Sequence, residues 1–88
     1  MPSYHVVLFS DPVTQQYMKE QEQAINNAIP SVTTEQATHE DSRLSRFSTK
    51  PSRMPCLMIF KDGARMQSKH SKIAHHEMIN WIKGVIGI

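Results

Sequence analysis

Two short stretches concentrate the strand-forming apolar residues of this chain: YHVVLF, Tyr4 to Phe9, and CLMIF, Cys56 to Phe60. Each is close to continuously apolar, which predicts a strand covered on both faces rather than a half-exposed one. Two further stretches, VTTEQAT (Val32 to Thr38) and ARMQSKH (Ala64 to His70), are mostly polar. The first has the Thr and Val content of a strand, and the second returns from a turn. Both suit the edges of a sheet better than its centre. Asp62-Gly63 lies between the second apolar stretch and ARMQSKH. It predicts a two-residue hairpin, because such a turn needs positive φ and glycine supplies it cheaply.

Between the strands the period changes to that of a helix. Tyr17, Met18, Ala24, Ile25, Ala28 and Ile29 form one apolar stripe, interrupted by Gln21. Asp11 is placed to cap this helix, Pro12 suits its first position, and Pro30 ends it. Leu44 and Phe47, three apart within Glu40 to Ser48, predict a short helix lying on a sheet. Met78, Trp81, Ile82 and Val85 predict a last helix beginning near Ala74. The order is then β-α-β-α-β-β-α, an α/β arrangement. A right-handed crossover sets the second strand parallel beside the first. The third strand must pair on the other side of the first, and the fourth outside it. The result is a four-stranded mixed sheet of order 2-1-3-4 with three helices, apolar strands central and polar strands at the edges. At 88 residues the chain has room for one core, so residues 1–88 are expected to form a single domain.

Composition narrows the function classes. No run approaches the roughly 18 apolar residues a membrane helix needs, and MPSYHVV lacks the basic-then-apolar order of a signal peptide. One cysteine excludes an internal disulfide framework. These features lead us to expect a cytoplasmic protein, or part of a particle assembled inside a cell. The net charge of +2 is unevenly spread. Residues 1–42 carry six acids and only Lys19 as a cation; residues 43–72 carry eight cations and only Asp62 as an acid. Arg43 to Lys72 is thus a basic segment, either solvated or facing an acidic partner. It lacks interleaved exposed aromatics, so nucleic acid is not the expected partner. His70, His75 and His76 fall close together, but their spacing fits neither an i, i+4 pair nor a cysteine-rich site. No metal and no cofactor are expected. His5 and His39 read as isolated, and there is no Ser-His-Asp pattern, no carboxylate pair and no glycine-rich phosphate loop.

MPCLMIFKDG, Met54 to Gly63, resembles one segment of the thioredoxin and glutaredoxin-like family: an apolar residue and a cis-proline leading into the third strand, which ends in a Lys-x-Gly hairpin. AHHEMINWIKGVI resembles that family's last helix in spacing, and the resemblance extends over nearly the whole chain. It implies that Pro55 is cis and that Met54 keeps its backbone groups free to pair with an extended peptide. It also exposes an absence. The family's enzymes carry Cys-x-x-Cys after the first strand, where the helix start activates the leading thiol. Against the glutaredoxin pattern, Thr14 and Tyr17 stand where those cysteines belong, and residues 1–55 hold no cysteine. Dithiol exchange within one chain is excluded. Cys56, after the proline, reads as a small apolar residue of a central strand. We therefore expect no enzyme but a protein-binding module using the family's peptide groove: Asp11, Pro12, Val13 and Thr14, the Met54-Pro55 step, and Lys72, Ile73 and Ala74. A variant is a structural subunit, an adaptor or decoration protein of a larger assembly such as a virus particle. The alternative from another class is a monothiol oxidoreductase using Cys56.

Overall fold

The computed structural model describes residues 3–38, 40–42, 55–69 and 74–87. In chain order these form β1 (Tyr4–Ser10), α1 (Gln15–Ala28), β2 (Thr33–Thr38), β3 (Cys56–Lys61), β4 (Ala64–Lys69) and α2 (His75–Ile86). The helix expected over 40–48 lies almost wholly outside the described residues, as do Met54, Lys72 and Ile73. The four strands make one sheet in the order β2-β1-β3-β4. β2 is parallel to β1, and β3 is antiparallel to both β1 and β4. Each strand therefore has the position its hydrophobicity predicts. Val6 to Ser10 of β1 and Cys56 to Phe60 of β3 are buried, whereas the edge strand β2 is half-buried at most.

Alternation along the central strands divides the core in two. Val6, Leu8, Leu57 and Ile59 face one way and pack with Met18, Ile25 and Ile29 of the first helical segment, Val32, and Met78, Ile82 and Ile86 of α2. Val7, Phe9, Cys56, Met58 and Phe60 face the other way; among the described residues Ala37 packs against them. α1 is strongly polar away from its stripe, with only Met18, Gln21 and Ile25 buried. A 14-residue helix of that composition is marginal alone and owes its stability to this packing. Two side-chain bonds add to it. Gln36 on β2 donates to the Met18 carbonyl (2.9 Å), and Thr34 donates to the Asn26 side chain (3.1 Å).

The hairpin has the expected form. Lys61 pairs with Ala64, and the two turn residues Asp62 and Gly63 both have positive φ, 51° and 86°. That combination gives a turn whose twist matches the strands. The turn also holds the start of the chain. Asp62 N–H donates to the Ser3 carbonyl (2.8 Å), and Ser3 N–H donates to the Asp62 carboxylate (2.9 Å). β4 carries one extra residue, Met66, between Arg65 opposite Phe60 and Gln67 opposite Ile59. α2 ends at Gly87, whose left-handed φ of 83° lets its N–H reach the Lys83 carbonyl at 2.9 Å.

Candidate functional site

The segment joining β1 to α1 is built around Asp11 and Thr14. Thr14 donates to the Asp11 carboxylate through both its N–H and its hydroxyl, each at 2.9 Å, and the hydroxyl accepts from Asp11 N–H at 3.1 Å. This corrects the expectation that Asp11 caps the helix. Pro12 and Val13 make a turn first, the helix starts at Gln15, and the Asp11 carboxylate is committed to closing the turn. Thr14, at the N-cap position, contributes no side-chain cap because its hydroxyl is turned back to Asp11. Val13 stands at the tip of this turn and is 90% exposed, the one large apolar side chain so exposed among the described residues.

The sheet register places the proline beside this turn. Phe9 is opposite Cys56, so Pro55 and the Ser10–Asp11 exit from β1 stand at the same end of the sheet. Pro55 is buried and lines a shallow, narrow cleft. Tyr17, Met18 and Gln21 of α1 form one wall; Leu57, Lys69 and Met78 complete it. The Lys69 ammonium lies 5.5 Å from the centroid of the Trp81 ring, a cation–π distance that steadies the cleft's outer edge.

Gln21 now has a reason. It interrupts the apolar stripe and is only 1% exposed, and its side-chain oxygen accepts a hydrogen bond from Nδ1 of His75 at 2.7 Å. The pair ties the second turn of α1 to the first turn of α2, next to Ala74. His75 is exposed at the protein surface, and this bond makes it a link between the two helices. Replacing His75 with Ala removes the donor and leaves the Gln21 amide buried. We expect a loss of about 1–2 kcal/mol in urea unfolding. The double variant with Gln21→Leu is expected to recover most of it, because no buried polar group remains.

His5 is likewise not isolated. Its Nε2–H donates to Glu35 at 2.9 Å, and its Nδ1 meets the Thr33 hydroxyl at 2.6 Å. The imidazole bridges two residues of β2 from the neighbouring strand, on a half-exposed surface where such a pair contributes little energy. Cys56 is the reverse case. It is fully buried, among Val7, Phe9, Met58 and Phe60. Of the residues expected to form a groove, Asp11, Pro12, Val13, Thr14 and Pro55 come together at this end of the sheet, and Ala74 opens α2 beside His75. Met54, Lys72 and Ile73 lie outside the described residues. Within those residues no three metal-ligating side chains converge.

Comparison with solved structures fits this geometry. Thioredoxin-2, described as a component of the malaria parasite protein secretion machinery, superposes with a TM-score of 0.74 over 94% of this chain and 84% of its own, at 16% identity. Thioredoxin O2 from Arabidopsis thaliana in the oxidized state gives 0.71 over 93% and 74%, at 15% identity. The fold is that of thioredoxin. A mutant thioredoxin from Halobacterium salinarum NRC-1 agrees, with a TM-score of 0.72 over 94% of this chain and 74% of its own, at 10% identity. At these identities the likeness is one of fold. No family model matches the chain, and no curated protein matches it in sequence. On the thioredoxin fold, the turn Asp11 to Thr14 occupies the place between β1 and α1, and it carries no thiol.

Proposed function

We propose that this chain is a protein-binding or structural module on a thioredoxin fold, without dithiol chemistry of its own. Its groove consists of the turn Asp11 to Thr14, the Met54-Pro55 step and the turn Lys72 to Ala74. The observation that carries the reading is a contrast of exposure. The sole thiol, Cys56, is fully buried, whereas Val13, on the turn after β1, is 90% exposed, at the end of the sheet where Pro55 leads into β3. An exposed apolar residue at that end of the sheet is available for contact with another protein. In this reading Pro55 is cis, and Met54 offers its backbone groups to an extended segment of the partner. The partner in this reading is another protein, with nucleic acid disfavoured and no membrane involved. A stoichiometric place in a larger assembly, an adaptor or a particle's decoration protein, is the form of this reading in which the partner is permanent. The split charge of the chain suits docking onto neighbours of opposite sign.

The test is affinity capture from the native source with wild type, Val13→Asp and Met54→Asp, compared by mass spectrometry. Val13 is solvent-exposed, so its variant retains the fold, which circular dichroism verifies. A partner held by wild type and lost from both variants supports the groove. The same partner held by all three places the interface elsewhere. If all three hold the partner and a fourth protein, Cys56→Ala, loses it, the monothiol reading replaces this one.

A further inference from the structure

The two edges of the sheet are closed in different ways. β4 ends it on one side with a bulge at Met66, and it carries Arg65 and Lys69; both devices discourage a further strand. β2 ends it on the other side with neither. Its six residues, TTEQAT, include no proline, lysine or arginine, and they keep unbroken parallel register with β1 from Thr33 to Thr38. Thr33 and Thr38 are exposed, the residues between them are half-buried, and no described strand pairs with the outer side. The outward N–H and C=O groups of a regular edge strand are a template for an added strand.

The surroundings of this edge select which strand. Glu35 lies on β2 itself, on the face it shares with Thr33 and Ala37. On the opposite face Glu22 reaches over from α1, its carboxylate 3.4 Å from the Gln36 amide. Asp41 N–H donates to the Thr38 carbonyl at 3.1 Å, and this turn sets Glu40 and Asp41 at the carboxyl end of the strand. Among the described residues the opposing cation is Lys19, which shares a groove with Gln36 and Glu40, while the His5 imidazole is bonded to Glu35. A carboxylate accepts more than one donor, so bonds within the chain leave these acids able to meet an incoming cation. The same acids oppose pairing of β2 with β2 of a second copy, because like charges would face each other.

We infer that the β2 edge binds an extended, lysine- or arginine-bearing segment of another polypeptide, which joins the sheet as an outer strand. Backbone pairing with β2 holds it, and its cations meet Glu35 on one face, Glu22 on the other, and Glu40 and Asp41 at the end. β1 separates this edge from β3 and Pro55, so the inference does not rest on the groove proposed above.

The test is a titration of the full chain with three synthetic peptides, acetylated and amidated at their ends, followed by amide NMR. Lys-Thr-Val-Lys-Val-Thr-Lys is the basic strand. Lys-Thr-Pro-Lys-Pro-Thr-Lys keeps the charge and gives up strand pairing. Glu-Thr-Val-Glu-Val-Thr-Glu keeps the strand and reverses the charge. The basic strand is expected to give saturable shifts over Thr33 to Thr38 and slower hydrogen exchange at the β2 amides that point away from β1. The proline peptide should bind at least about tenfold more weakly, because backbone bonds are lost. The acidic strand should also bind at least about tenfold more weakly, because like charges then face each other. Glu35→Lys combined with Glu40→Lys should weaken the basic strand by about tenfold. Both side chains are at the surface, and the three peptides on wild type decide the matter even if this variant fails to fold. Val13→Asp should leave the binding unchanged. Equal binding of the basic and proline peptides, equal binding of the basic and acidic strands, no saturable shift, or shifts centred on β4 or Val13 overturns the inference. Concentration-dependent shifts of β2 with no peptide present assign the edge to a second copy and overturn it as well.

Discussion

Replacing Ile82 with Ala is expected to lower the unfolding free energy by about 2–5 kcal/mol, read from urea denaturation of the two proteins. Ile82 is fully buried at the middle of α2, in the cluster that joins both helices to Leu8, Leu57 and Ile59. The truncation removes apolar contact from that junction and opens a void that helices fixed on a sheet cannot close. A domain of this size has a total stability of about 5–15 kcal/mol, so the effect is a large share of it. Ile79, one turn earlier and only partly buried, is the control; its truncation should cost about 1 kcal/mol. Equal small losses at both positions would mean that α2 is not packed against the sheet as described.

The sheet was legible from the sequence because two independent signals agreed. Apolar continuity separated the central strands from the polar edge strands, and right-handed crossover fixed the order. Asp62-Gly63 carried its own turn chemistry, so the hairpin and even its two positive φ angles were readable in advance. What stayed hidden depended on distance in the chain. Gln21 looked like a flaw in an apolar stripe, because its partner His75 lies 54 residues away. His5 looked isolated because Thr33 and Glu35 come beside it only in the parallel register, where His5 aligns with Thr33. The start of α1 was misread for a local reason. A Ser-Asp-Pro step supports either a cap or a turn, and the Thr14 hydroxyl, which selects the turn by bonding Asp11, is a side-chain choice that spacing does not reveal. The proposed groove rests on the resemblance around Met54 and Pro55. The burial of Cys56 followed from its place in a continuously apolar strand, whereas the exposure of Val13 needed the packed structure.

The native protein is expected to resist thiol reagents. With Cys56 fully buried in β3, opposite Phe9, a reagent such as DTNB reaches the sulfur only after the sheet opens. A central strand opens with a free energy near that of global unfolding. At about 5 kcal/mol, labelling should run on the order of a thousandfold slower in buffer than in denaturant. The same burial predicts no reduction of a disulfide substrate above the Cys56→Ala background, because disulfide exchange requires thiolate attack on an accessible sulfur. Measuring both quantities separates the two functional classes. Slow labelling with no reductase activity leaves the thiol as packing and is the outcome that the binding reading expects. Labelling at the rate of a free thiol would show that the strand yields Cys56 to solvent, and a monothiol mechanism would then account for the chain better than a binding groove.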